Sequence, residues 1–349
     1  MLYPVIVVTR EGSVEASRIL LKPHTRGGLV IALAGLDAVG DAIEARNKAL
    51  KAGKRVNMVH ATVVDDQAFV ESLSTEIKAL RAAASVLDMK VLLFGFDEPP
   101  FSVNEIAGSL GLDLYIVPEK EALELVEEGG EYGSLYVDTY LAAYFNLSGA
   151  SEELLSKELG LYLAIKSILD TEGANALVLD CHRISEKTGL GVTMALNLLQ
   201  DEGIPSSCVH SVETLIPQMI SYSISGSPAI YAKVVDVTGE GAALLEAITL
   251  PTAVSSKSQI TLEKGRVTIT GYPGKGAYTL VSLDNSAETA IVAKVEVERE
   301  EENARFIASG LGREVLERLP SSSITLLKRA DRMVVGKALD YLGIRVLSV

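Results

Sequence analysis

The feature that most constrains the fold of this chain is the alternation of short apolar runs with longer segments of helical periodicity. The apolar runs, rich in Val, Ile and Leu, cover residues 5–8, 30–33, 56–60, 91–94, 114–117, 176–179 and 230–235. The helical patterns cover residues 37–52, 66–87, 151–169 and 187–202. Continuous apolar strands separated by helices are typical of parallel sheets built from βαβ units. The sequence therefore predicts an α/β fold containing two doubly wound, Rossmann-like domains.

The pattern changes after about residue 238. Short β runs at residues 258–263, 266–270, 277–282 and 289–297 are separated by glycine-rich turns, and a last helix and strand follow at 332–342 and 344–347. Short strands at regular spacing predict a smaller domain of mixed antiparallel β and α structure. We expect three domains: residues 1–87, residues 88–238 with the candidate site, and residues 239–349.

The charge balance excludes several classes of partner. Asp and Glu number 46 against 32 Lys and Arg, which gives a net charge of −14. Such a surface repels phosphate backbones and anionic lipids, so we expect neither nucleic acid nor membrane as a partner. No apolar run reaches the roughly 18 residues that span a bilayer. Residues 1–10 lack the features of a signal peptide, and two cysteines make no disulfide framework, which predicts a cytoplasmic location.

Polar and reactive side chains follow two successive strands of the predicted second domain. Carboxyl ends of parallel strands meet at one edge of a sheet, where ligands of open α/β sheets bind, and neighbouring strands lie about 5 Å apart. The sequence therefore predicts one crevice bordered by Asp180, Cys181, His182, Arg183, Cys208, His210 and Glu213.

Three interpretations of the cysteines and histidines remain open. Cys181, His182, Cys208 and His210 match the ligand types of a Cys₂His₂ zinc site, although neighbouring residues on a strand point to opposite faces. A Cys/His pair is also the arrangement of a nucleophilic thiolate. The third interpretation is a pair of buried cysteines beside a hydrogen-bonded histidine, which these four residues alone favour.

The glycine pair at residues 239 and 241 gives only a weak signal for dinucleotide binding. Gly239-Glu-Gly241 lacks the third glycine of a dinucleotide fingerprint, because Leu244 stands in its place. It predicts a tight strand-to-helix turn.

Residues 195–208 resemble the core signature of the L-fucose isomerase and L-arabinose isomerase group. The segment reads Ala-Leu-Asn-Leu-Leu-Gln-Asp-Glu-Gly-Ile-Pro-Ser-Ser-Cys. Weaker matches lie at 91–100, 110–114, 162–167, 180–181 and 338–344. The resemblance implies aldose–ketose isomerisation through an enediol, a divalent metal, usually manganese, held by acidic residues and a histidine, and assembly into trimers or hexamers.

The sequence departs from the group at its metal ligands. Where the group has Cys-Glu-x-Asp, this chain has Cys208-Val-His-Ser211, so Val209 and Ser211 replace the two acids. Leu250 stands where the group's histidine aligns, and no histidine follows His210.

We therefore expect a diverged, fucose-isomerase-like protein of carbohydrate metabolism that binds a sugar or related small molecule without a cofactor or metal. The predicted ligand-binding residues are Asp180, Cys181, His182, Arg183, Cys208 and His210, in a crevice between the second and C-terminal domains. One alternative is an active isomerase with manganese on Asp180, His210 and Glu213, which are the candidate catalytic residues. Another is a scaffold without a ligand.

Overall fold

The computed structural model describes residues 3–8, 12–33, 38–61, 66–137, 152–237, 241–263, 265–301 and 304–347. The chain forms two compact units, the first made of Met1–Asp88 with Asp331–Val346 and the second of Met89–Ala330 with Leu347–Val349. Helices and strands alternate as the sequence predicted, and the α/β class is confirmed. No helix in the described ranges combines the length and the apolar character that crossing a bilayer requires.

The first unit is built on a parallel sheet in the order β1-β2-β3, formed by Val5–Val8, Gly27–Leu33 and Arg55–Ala61. Its helices are α1 (Ser13–Leu20), α2 (Ala38–Lys51), α3 (Gln67–Leu87) and α11 (Arg332–Leu342). A stripe of alanines at helical spacing lies fully buried along α2: Ala38, Ala42, Ala45 and Ala49. Such small side chains allow a helix axis to approach a neighbouring surface closely.

The second unit contains a parallel sheet in the order β5-β4-β6-β7. Its strands are Lys90–Phe94 (β4), Asp113–Val117 (β5), Ala176–Leu179 (β6) and Ser206–Cys208 (β7). The connecting helices are α4 (Phe101–Leu110), α5 (Glu119–Gly133), α6 (Glu152–Glu172), α7 (Cys181–Thr188) and α8 (Thr193–Asp201), and α9 (Leu215–Ser225) follows β7. The chain runs from β4 to β5 on one side and from β6 to β7 on the other, so it leaves β4 and β6 in opposite directions along the sheet. The gap between these two strands is the switch point where open α/β sheets place their ligands.

The rest of the second unit is an antiparallel barrel. Its six strands are β8 (Ala229–Val237), β9 (Ala242–Ala247), β12 (Gly276–Leu283), β13 (Thr289–Glu300), β14 (Arg305–Ser309) and β15 (Ser323–Lys328). They are neighbours in the order β12-β15-β8-β9-β14-β13, and β13 pairs again with β12. The interior is filled by fully buried side chains, among them Ile230, Leu245, Leu280 and Phe306. A hairpin of β10 (Ser255–Glu263) and β11 (Arg266–Pro273), a short α10 (Arg313–Arg318) and a last strand, β16 (Arg345–Leu347), complete the elements.

Two local predictions are wrong. The helix predicted over 187–202 is two helices, because Gly189, with φ +74°, ends α7 and a loop separates it from α8. The helix predicted after Gly241 is strand β9, so the glycine pair does not open a strand-to-helix turn. Residues 238–240 lie outside the described ranges. The structure divides into two compact units, and the second contains both the parallel sheet and the barrel. The division into three domains stays a prediction.

Candidate functional site

One guanidinium stands among three carboxylates at the carboxyl edge of the second unit's parallel sheet. The Arg183 side chain reaches Glu119 at 3.0 Å through Nη1 and Oε2, and Asp97 at 3.7 Å through Nη1 and Oδ2. Its Nε lies 3.4 Å from Oδ2 of Asp180. The three acids follow three different strands, β4, β5 and β6. We call these four residues the Arg183 cluster.

Local sequence explains why the cluster forms. Asp180 is the N-cap of α7, and its Oδ1 accepts a hydrogen bond from the backbone N–H of Arg183 at 3.1 Å. This cap satisfies an otherwise unpaired donor of the first turn and fixes where Arg183 leaves the helix. The backbone N–H of Glu119 donates to Oδ1 of Asp97 at 3.4 Å, which links the ends of β4 and β5.

Gly95 allows β4 to end beside this cap. Its φ of +89° is one that side chains with a Cβ rarely adopt. A Cβ there would stand 3.3 Å from Cδ1 of Ile184 and 3.5 Å from Cβ of Asp180. Glycine therefore serves both the turn and the close approach of the chain to Asp180.

The exposure of the cluster rises from its base to its rim. The side chains of Asp180 and Glu119 are 14% and 26% exposed, whereas those of Arg183 and Asp97 are 40% and 69% exposed. Three carboxylates and one guanidinium carry a net charge of −2 when ionised. This charge disfavours anionic ligands and suits neutral or cationic ones.

A disulfide bond joins the two neighbouring strand ends of β6 and β7. Cys181 and Cys208 are bonded with their Cα atoms 5.5 Å apart, and the parallel register pairs Leu179 with Cys208. The sequence argument brought these cysteines together, but its expectation that they form no disulfide is wrong for this structure. Because both sulfur atoms are in the disulfide, neither is a zinc ligand or a thiolate nucleophile in this state. Those two interpretations are therefore wrong for the structure described here.

The third interpretation is also wrong in part. Both cysteines are half-buried rather than buried. His182 is 84% exposed, and its Nε2 lies 3.9 Å from Oε2 of Glu186 one turn along α7. It is a surface histidine, and no interaction in the described residues joins it to the Arg183 cluster.

His210 and Glu213 lie in the 3₁₀ segment Val209–Thr214 after β7, in different surroundings. His210 is exposed, whereas Glu213 is buried with its Oε1 unpaired among the described residues. Burial raises the pKa of Glu213 to about 7, and the nearby Asp284 carboxylate adds to the shift. No three His, Cys, Asp or Glu side chains in the described part of the chain are grouped as metal ligands, so Asp180, His210 and Glu213 do not form such a set.

Of the residues predicted for this edge, the structure groups Asp180 with Arg183 and Cys181 with Cys208. Sequence reasoning missed Asp97 and Glu119, which complete the cluster. Both carry the signal that identified Asp180, since each is an acid within three residues of a strand end. Applying the strand-end rule to β4 and β5 as well as β6 and β7 would have found them.

Comparison with known proteins gives no family for this chain: no family model matches it, and no curated protein matches it. The resemblance to the L-fucose and L-arabinose isomerase group therefore stays a prediction from the sequence motifs.

Proposed function

We propose that this protein binds a neutral, hydroxyl-rich small molecule of the sugar or polyol class at the Arg183 cluster. The observation that carries the proposal is the placement of one guanidinium among three carboxylates from three strand ends at the switch point of a parallel sheet. Carboxylates accept hydrogen bonds from hydroxyl groups, and a guanidinium donates to hydroxyl oxygens. Charged partners make these hydrogen bonds roughly twice as strong as neutral ones.

The charge of the cluster narrows the ligand class. A sugar phosphate or sugar acid would bring its own negative charge to a site of net charge −2, at a cost that neutral polyols avoid. The motif resemblance to sugar isomerases supports the same class of ligand.

Binding rather than isomerisation is the favoured activity, because Val209, Ser211 and Leu250 stand where the sugar isomerase group has its metal-binding acids and histidine. The alternative predicted from the sequence is isomerase activity with manganese on Asp180, His210 and Glu213. Among the described residues these three side chains are not grouped as metal ligands, which counts against the alternative. Incubation with aldoses and Mn²⁺ tests it. Robust ketose formation would favour the alternative over the proposal.

A cytoplasmic location and a homo-oligomeric state belong to the same proposal. Disulfides are rare in a reducing cytosol, so the oxidation state of Cys181 and Cys208 in cells tests the location. Alkylation of thiols at the moment of lysis gives this directly. A monomer by light scattering would contradict the trimer or hexamer that the resemblance implies.

The binding experiment is calorimetric titration of the full chain with L-fucose, L-arabinose, their reduced alditols and a sugar phosphate. We expect at least one neutral compound to bind, and the sugar phosphate to bind more weakly than its neutral parent. Arg183→Gln removes the donor and leaves three carboxylates facing one another, so we expect at least a tenfold loss of affinity.

Arg313→Gln is the matched control. Arg313 is an exposed arginine of the second unit that pairs with a carboxylate, Glu317, on its own helix, and it is not part of the cluster. Its replacement changes the net charge by the same amount and should leave binding unchanged. Equal losses in the two variants, or no binding by any neutral polyol, would contradict the proposal.

A further inference from the structure

A groove of about 600 Å³ in the first unit has a lining whose charge is opposite to that of the chain as a whole. It lies between the start of β3 and one side of α11, together with the residues that follow α11. Its polar lining consists of Arg55, Asn57, Lys337, Asp340 and Arg345. A volume of this size falls in the range of small-molecule sites, roughly 300–1,000 Å³.

A buried network holds one wall of the groove in place. Glu76 lies buried behind it and accepts hydrogen bonds from Nδ2 of Asn57 at 3.1 Å and from the hydroxyl of Tyr341 at 2.8 Å. It also forms an ion pair with Lys337. Burial and the Glu76 carboxylate both raise the pKa of Tyr341, so its hydroxyl stays a donor. Because Asn57 and Lys337 are both fixed by Glu76, they are ordered before any ligand arrives, which lowers the entropic cost of binding.

The charge count favours an anion. Three cationic side chains, Arg55, Lys337 and Arg345, line the groove together with one carboxylate, Asp340. The lining therefore carries a net charge of +2, or +1 if the buried Glu76 is included. The whole chain carries −14, so this groove is a local exception. An Arg55 to Asp340 distance of 4.0 Å, with both side chains about half-exposed, leaves Arg55 only weakly engaged.

We propose that this groove binds a small organic oxyanion, that is, a metabolite with a carboxylate or phosphate group. The guanidinium groups of Arg55 and Arg345 provide planar donors that match such oxygens, and Lys337 adds a fixed positive charge. Apolar atoms of Met333, Ile344 and Val346 line the same groove and suit the carbon skeleton of the ligand. This ligand is anionic, whereas the one proposed for the Arg183 cluster is neutral, and the groove shares no residue with that cluster.

The test is calorimetric titration of the full chain at low ionic strength with inorganic phosphate, glycerol 3-phosphate and succinate. We expect binding by at least one of these probes, weakened when NaCl is raised, because ionic interactions near a surface are screened. Preference for the first two probes over succinate identifies a phosphate site, and the reverse preference identifies a carboxylate site.

Substitutions of the groove arginines test whether the oxyanion binds in this groove. Arg55→Gln and Arg345→Gln should each reduce affinity at least tenfold. Both side chains are substantially exposed, so the urea midpoint of the chain without ligand should stay unchanged. Arg18→Gln is the control, since Arg18 is an exposed arginine of the first unit paired with Glu15 and absent from the groove. The Arg18→Gln variant should bind the oxyanion with the same affinity as the unmodified chain.

Arg183→Gln separates this proposal from the preceding one, because it should weaken polyol binding at least tenfold and leave oxyanion binding intact. The inference is overturned if none of the three oxyanions binds, or if the binding persists in both Arg55→Gln and Arg345→Gln.

Discussion

Breaking the Cys181–Cys208 bond should cost about 3.5 kcal/mol of unfolding free energy. The bond closes a loop with a sequence separation of 27 residues. In the chain-entropy model, cross-linking a loop of this length removes about 12 cal/mol/K from the unfolded ensemble, which is about 3.5 kcal/mol at 25 °C. The stabilisation acts on the unfolded chain, so the folded structure need not change when the bond is removed.

The folded structure around β7 should survive loss of the disulfide, because hydrogen bonds also hold this short strand in place. Ser206 donates its backbone N–H to Oε1 of Gln218 at 2.9 Å and its hydroxyl to the carbonyl of Leu196 at 3.0 Å. Its carbonyl accepts from Nε2 of Gln200 at 2.9 Å. All these atoms are buried, so β7 should stay in the sheet after the sulfur atoms separate.

The assay is urea unfolding of the unmodified chain and of the Cys181→Ser/Cys208→Ser variant, each with and without a thiol reductant. The unmodified chain should lose about 3.5 kcal/mol on reduction. The double variant should match the reduced chain and should not respond to reductant. A reductant effect of the same size in the double variant, or none in the unmodified chain, would refute the reasoning.

Three further predictions concern buried charge and backbone strain. Burial raises the pKa of Glu158 to about 8, so the stability that this group contributes is full below about pH 4.5 and is lost as the pH rises to about 8. Glu158→Gln should therefore flatten a plot of melting temperature against pH in this window. Glu153→Gln, on the exposed face of the same helix, should leave the plot unchanged there. Gly95→Ala should cost about 1–2 kcal/mol in urea unfolding, because alanine must adopt a left-handed φ there. Lys337→Met should cost roughly 3 kcal/mol at pH 7 by leaving the Glu76 carboxylate buried without its cation. Removing the other partner, by Glu76→Gln, should reduce the free energy of unfolding by less, because the Lys337 side chain is one-third exposed and can remain hydrated. Equal losses in the two variants would contradict this account.

Local periodicity was enough to predict most of the strands and the fold class. The apolar runs at 91–94, 114–117 and 176–179 each became a strand of one parallel sheet, because a strand buried on both faces needs apolar residues throughout. Strands β14 and β15 were missed, and β9 was predicted as a helix. Strand β15 pairs with β8 and β12, which are distant in sequence, so nearby residues do not reveal its pairing. Strand β14 pairs with the distant β9 and also with β13 just before it in the chain.

The candidate site was predicted in part for the same reason. Asp180 and Arg183 stand three residues apart, and a cap at the first turn of a helix is a local event. Asp97 and Glu119 reach Arg183 only after β4, β5 and β6 align. The disulfide contradicts the expectation of reduced cysteines, because a low cysteine count is typical of a reducing compartment but does not decide whether two neighbouring sulfur atoms are oxidised.

The place of α11 has a consequence for how the chain is made. This helix packs within the first unit, yet it is encoded after residues 89–330, which make up nearly all of the second unit. During synthesis on the ribosome, the sheet of β1, β2 and β3 must wait for α11 until the second unit has emerged and had time to fold. Lys337 and Tyr341, the partners of Glu76, therefore arrive late. Domains usually fold as they emerge, N-terminal first, but the first unit of this protein can be completed only after residues 89–330 have been synthesised.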